Sequence, residues 1–187
     1  MTRNFRSEPL EPGVIEELVD LASRAPSAGK TQGWHMVGLL NDETEAYWSA
    51  AMEPQVRETF AFPGLLNAAF IGVVLADPSA YVERYSEPDK QRTGLGDGAH
   101  AWDTPYWTVD ASMATMTFLH AAHDAGLGAL FFAVANVGKV RAALGIPDAM
   151  EVIGAVAVGI PNGAERPGRS AGRTRRTPGE IVRWGRW

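Results

Sequence analysis

Residues 24–34 read Arg24-Ala25-Pro26-Ser27-Ala28-Gly29-Lys30-Thr31-Gln32-Gly33-Trp34. Small residues and a proline stand between a helical pattern and an apolar run, so the stretch is a turn from helix to strand. Such a turn exposes backbone amides and the Ser27 hydroxyl, as a planar ligand approached closely by main chain requires. Its Ala28-Gly29-Lys30-Thr31 segment looks like the end of a phosphate-binding P-loop. That motif needs glycine at position 24, which Arg24 occupies, and it joins strand to helix rather than helix to strand. Nucleoside triphosphate binding does not follow.

Upstream, Pro12 suits the first turn of a helix, and Ile15, Leu18, Val19 and Ala22 then recur with helical spacing. The helix ends near Arg24 because Pro26 disfavours helical geometry at Ala25. Downstream, Trp34–Leu40 reads as a buried strand, and Asp42 is placed to cap a helix running to about Met52. Phe70–Ala76 is a second strand, bounded by Asp77-Pro78. Residues 85–106 lack clear periodicity and read as a long loop, whose aromatics argue against simple disorder. A helix over about Val109–Ala125 is apolar almost all round, which predicts a central, buried position, and Gly126 is its left-handed cap. Leu127–Val134 is a strand, Val137–Leu144 a helix and Val152–Gly159 a strand. The pattern predicts an α+β layer fold, with a mixed central sheet flanked by helices.

The chain has 187 residues and no cysteine, which excludes a disulfide scaffold, thiolate zinc and a cysteine nucleophile. Its formal charge of −5 is unevenly spread. The first 164 residues hold 10 bases and 20 acids, whereas residues 165–187 hold seven arginines and two acids. An acidic body of −10 is not that of a whole-protein nucleic-acid binder. Met1–Pro12 contains no apolar signal-peptide core, and no apolar run approaches the roughly 20 residues of a membrane span. A cytoplasmic enzyme or binding protein is expected, with no membrane partner.

Other constellations are weak. Gly94, Gly96 and Gly98 have the wrong spacing for a dinucleotide fingerprint and read as turn glycines. His120 and His123 lie three apart on the long helix without a recognisable third ligand, so no metal site is assigned. There is no hydrolase elbow or zinc-protease motif. No acid–base dyad and no other catalytic side chain is assigned.

Taken in order, Arg24–Trp34, Gly126-Leu127-Gly128 with its following strand, Val140-Arg-Ala-Ala-Leu-Gly-Ile-Pro147, and Glu151–Pro161 resemble the FMN-dependent nitroreductase family. The resemblance covers essentially the whole chain. It implies a nitroreductase-like flavin-binding domain over residues 1–160 and an extended arm over 161–187 that packs on the partner subunit. The whole would be a homodimer with its C-terminal segments exchanged and two flavin sites at the interface. By the same resemblance Pro26, Ser27 and Ala28 lie along the flavin ring. Lys30 stands where the family usually has a hydrogen-bonding asparagine, and Leu130, Phe131 and Phe132 offer backbone near the reactive face. Arg173 and Arg175 match basic residues that hold the FMN phosphate. A guanidinium fork suits that group chemically. Gly33 replaces the family's proline, which is expected to loosen the turn, and only Arg3-Asn4-Phe5 matches the family's arginine-rich opening.

The implied activity is hydride transfer from NAD(P)H to FMN and on to a small aromatic, nitro or quinone-like acceptor. Trp102, Tyr106 and Trp107 are candidates for the acceptor wall, or alternatively for dimer-interface packing. Two other readings keep the fold. One is different flavin chemistry: deazaflavin-dependent, flavin-consuming in the manner of dimethylbenzimidazole synthase, or a tailoring dehydrogenase. The other is a non-enzymatic flavin or small-molecule binder.

Overall fold

A computed structural model describes residues 1–163, 167–168 and 170–187. Helix α1 (Pro12–Ala22) begins on Pro12 and buries Ile15, Leu18 and Ala22. Strand β1 (Trp34–Leu40) follows the Pro26 turn. Helix α2 (Thr44–Ala51) buries Tyr47 and Trp48, and a short α3 (Pro54–Glu58) follows it. Strand β2 (Phe70–Ala76) leads into α4 (Pro78–Tyr85), whose first turn is capped by the Asp77 carboxylate accepting from Ser79 N at 2.9 Å. The long helix α5 (Tyr106–Asp124) precedes β3 (Gly128–Phe132), α6 (Val137–Leu144) and β4 (Glu151–Gly159). A single helical turn, α7 (Pro178–Ile181), lies in the arm.

The strands form one sheet in the order β1-β2-β4-β3. Every pairing is antiparallel, so no parallel pair makes this sheet mixed among the described residues. Strand β2 is central, and all seven of its residues are buried. Its alternation sends Phe70, Val74 and Ala76 to a core shared with α1 and α5, and Ile71, Val73 and Leu75 to a core shared with α2 and Val140 of α6. The result is a three-layer sandwich with helices on both faces. Among the described residues no helix is long and apolar enough to cross a membrane.

Three local expectations are corrected. Strand β1 is an edge strand, paired only with β2, and no residue of it is fully buried. Asp42 does not cap α2: Asn41 adopts a left-handed φ of 54° and spends its amide on Leu10, and the Glu43 carboxylate takes the Leu40 N–H at 3.0 Å. Helix α5 is buried on one side only. Trp107, Asp110, Ala114 and Phe118 face the core, while Met116 on the opposite face is 50% exposed. Its end is as expected, with Gly126 at φ 76° and Leu127 N closing back on Ala122 O at 2.9 Å.

Arg57 of α3 grips Glu45 of α2 with two bonds, at 2.6 and 2.8 Å. This pairing, with the Ser49 hydroxyl, holds the Glu45 carboxyl down to about 2. A depressed carboxylate stabilises the fold above its ordinary value of 4.5 and loses that contribution as pH falls toward 2. The pair is solvent-exposed, so its contribution is at most about 1 kcal/mol. Glu45→Gln is therefore expected to lower stability by that amount or less at pH 7. Urea titrations of the two proteins should converge as the pH drops below 4.5; a constant gap would contradict the assignment.

Candidate functional site

The turn before β1 is held by its own hydrogen bonds and by two helices. Ser27 is extended at φ −142° and starts a single 3-10 turn over Ala28–Lys30. Gly29, Lys30 and Gln32 then take left-handed φ values of 62°, 55° and 53°. The two non-glycine residues pay a backbone cost of order 1 kcal/mol each. The geometry persists because its surroundings over-determine it. Ser27 Oγ accepts from Gln32 N at 2.8 Å, and Gln32 Nε2 donates to Ser23 O at 3.0 Å. Arg84 of α4 donates its Nε to Gly29 O at 2.9 Å, and its guanidinium is itself fixed by Asp89 at 2.8 and 2.9 Å.

The deepest tie comes from α5. Asp110 is 2% exposed, and its Oδ2 accepts from Ala28 N at 2.7 Å and from the Tyr81 hydroxyl at 2.8 Å. Burial first, then the bond to Asp110, pushes the Tyr81 phenol up, so Tyr81 remains a donor at neutral pH. Asp110 Oδ1 and the nearby Trp107 Nε1 are buried without a partner among the described residues. One carboxyl thus joins the turn, α4 and α5 while leaving one oxygen unsatisfied, the kind of local cost that proteins concentrate at functional sites.

A cavity of 440 Å³ opens beside the turn. Ala28 forms part of its floor, and Tyr85, Trp102 and Tyr106 supply aromatic walls. The Trp102 ring is fixed by its Nε1 bond to Leu95 O at 2.9 Å and meets Tyr85 edge-on at 4.7 Å. Trp107 is not on this wall. It lies one residue round the helix from Tyr106, points into the core, and packs against Tyr81 and Trp102.

The other site candidates lie apart from this cavity. Leu130 is buried with the α2–α6 core, and Phe132 stacks on Trp48 at 6.0 Å. Phe131 alternates to the other face and is partly exposed. Strand order puts β1 and β3 on opposite edges, three strand spacings or about 14 Å apart. Through Ala155 and Val73 the register sets the end of β3, Phe132, level with Val37 in the middle of β1, and both the end of β3 and the start of β1 point toward the same end of the sheet. Pro26 and Lys30 are exposed at the turn, while Arg173 and Arg175 are exposed on the arm; no side-chain hydrogen bond or ion pair involves these last three cations among the described residues.

With this geometry established, comparison with known proteins is informative. A sequence profile of the Nitroreductase family matches residues 1–160. The chain belongs to the nitroreductase family. It is 30% identical over 154 residues to an Archaeoglobus fulgidus protein provisionally named NADH dehydrogenase/NAD(P)H nitroreductase, covering 79% of this chain and 72% of that one. It is 27% identical over 173 residues to 5,6-dimethylbenzimidazole synthase of Rhodospirillum rubrum, covering 85% and 76%. Its fold matches an FMN-dependent nitroreductase from Clostridium difficile with a TM-score of 0.66 and 18% identity, covering 100% of this chain and 94% of that one.

Asp110, Tyr81 and Tyr85 were not singled out by the sequence reading. Asp110 had a legible signal: it is the only charged residue between Asp103 and Asp124, on a helix otherwise apolar or weakly polar. Tyr81 had none, because α4 was not recognised.

Two substitutions probe the tie. Asp110→Ala strands the Ala28 N–H and the Tyr81 hydroxyl and is expected to cost about 3 kcal/mol in urea unfolding, against about 1 kcal/mol for Tyr81→Phe. Gly33 makes room for Tyr81. A Cβ there would lie 2.7 Å from the buried Tyr81 ring. Gly33→Ala should therefore lower stability by about 1–3 kcal/mol, and an unchanged urea midpoint would show that the ring yields freely.

Proposed function

We propose that the chain is an NAD(P)H-dependent flavin oxidoreductase that binds FMN against the Pro26–Lys30 turn. The reading rests on one observation: in a nitroreductase-family chain, the pinned turn directly borders an aromatic-walled cavity of ring-accommodating size. The residues present fit the cofactor. The left-handed turn presents main chain rather than side chain to a planar ring, and Lys30 is a cation beside it. FMN held there supplies hydride exchange between a nicotinamide and a small aromatic, nitro or quinone-like acceptor.

The chain's own residues supply orientation. Asp110 and Arg84 hold the turn, Tyr85, Trp102 and Tyr106 form the wall on which an acceptor stacks, and Lys30 places positive charge at the cofactor edge. Leu130, Phe131 and Phe132 are proposed to offer backbone to the ring. Their separation from the turn within one chain supports a homodimer in which a second copy brings both segments to one flavin. The bare face of α5 and the exposed Ile181, Val182, Trp184 and Trp187 of the arm give that dimer apolar surface to bury. Arg173 and Arg175 are proposed to reach the FMN phosphate from the arm.

The first test is the absorbance spectrum of purified protein before and after adding FMN. A yellow protein bleached by NAD(P)H is expected; one that stays colourless with FMN present sinks the reading. Arg173→Ala with Arg175→Ala is expected to weaken FMN binding at least tenfold without altering the sedimentation coefficient of the dimer. Unchanged flavin affinity would remove the phosphate assignment. The similarity to a dimethylbenzimidazole synthase supports flavin consumption as the second reading. Full recovery of flavin absorbance on reoxidation selects the oxidoreductase, and progressive loss selects the alternative.

A further inference from the structure

The cavity beside Ala28 has an electrostatic character that sets which rings it admits. Besides Tyr85, Trp102 and Tyr106, it is lined by Asp103 and Thr104. Asp103 is the only charged lining residue; it is exposed and makes no hydrogen bond or ion pair among the described residues. Lys90 sits 5.6 Å from the centre of the Tyr85 ring but does not line the cavity. Arg84 is committed to Asp89, Glu87 and Gly29 O, and Lys30, exposed on the same turn as Ala28, is not among the lining residues either. Aromatic faces carry negative potential and attract cations. The cavity therefore has three aromatic rings and one unpaired carboxylate in its lining, and no cation among its lining residues.

We propose that this cavity selects planar aromatic cations, with Asp103 as its specificity-determining residue. The proposal rests on the reading of the cavity as the acceptor or reductant site and adds the charge of its occupant. The rings admit a flat ligand by stacking, and their rigidity favours this: Trp102 is fixed by Leu95 O and backed by Tyr81 and Trp107. Asp103 then distinguishes a positive ring from a neutral or negative one of the same shape. Thr104 adds a hydroxyl without charge.

Three ligands of nearly one shape test this: 1-methylnicotinamide, a cation; nicotinamide, neutral; and nicotinate, an anion. Isothermal titration calorimetry at low ionic strength, on FMN-treated protein, is expected to rank them in that order. The cation should bind about tenfold more tightly than the neutral ring, consistent with a partly exposed cation–π contact plus an exposed charge pair. Asp103→Asn should cut that preference to threefold or less, and 0.5 M salt should narrow the preference in the parent protein. Equal affinities, tightest binding by nicotinate, no detectable binding of any of the three, or a preference that survives Asp103→Asn would each overturn the proposal. Its failure is distinct from that of the flavin reading. A yellow protein that binds the three rings equally keeps its flavin and loses the charge selectivity. If the protein takes up no FMN, the same ranking is measured on the flavin-free protein and decides the proposal alone.

Discussion

The Asp110 carboxyl joins three parts of the molecule that the chain reaches at widely separated points. Ala28 lies 82 residues before it and Tyr81 29 residues before it. Through one oxygen it sets where the turn stands relative to α4 and α5, and so where main chain meets the aromatic cavity. The alternative, an apolar residue at position 110, would pack the helix but leave the Ala28 N–H without a partner. A buried donor left unpaired costs more than a typical hydrogen bond contributes. The left-handed backbone at Lys30 and Gln32 depends on the same tie, because strained torsions survive only where neighbouring contacts leave no relaxed option.

Sheet order supplies the second constraint. With β2 and β4 between them, β1 and β3 cannot approach within one chain, although both present their site-side ends in the same direction. In the proposed site, a second copy of the chain would bring the turn and the β3 segment to one ligand. The same copy would cover the exposed side of α5, and would give the arm's two exposed tryptophans a surface to pack on. Separate features of the monomer therefore point to one assembly, by independent physical routes: topology, unburied apolar area and an arm without a core.

The strands were legible because their signals are local. Phe70–Ala76 is an unbroken apolar run, and its bounds coincide with β2; Trp34–Leu40 and Val137–Leu144 also coincide with observed elements. Position within the sheet was not legible, so β1 was expected to be buried when it is an edge. Helix α4 was missed because only Tyr81 along it is fully buried, which leaves little periodicity; Asp77-Pro78, read as the end of a strand, is equally the cap and first residue of that helix. In the site, Pro26–Lys30 could be read from small residues and turn chemistry. Trp102 and Tyr106 could be read as a wall, but Trp107 could not be told from them, since its inward direction depends on where α5 begins. The role of Asp110 depends on contacts across 82 residues, which no local pattern encodes.

The uneven charge now has a structural counterpart. The cavity's single lining charge is Asp103, and Arg84 beside it is paired with Asp89 and Glu87. A phosphate-bearing cofactor brought to this body alone would meet an average field of the wrong sign. The arm carries the compensating arginines on a segment outside the core, so in the proposed dimer the cations arrive with the partner. A phosphate clamp on a separate segment, as proposed for Arg173 and Arg175, would let the two ends of one site hold opposite potentials, negative where a ring stacks and positive where a phosphate docks. A compact body with its charges mixed would blur both, because opposite charges within a Debye length of about 8 Å largely cancel at physiological salt.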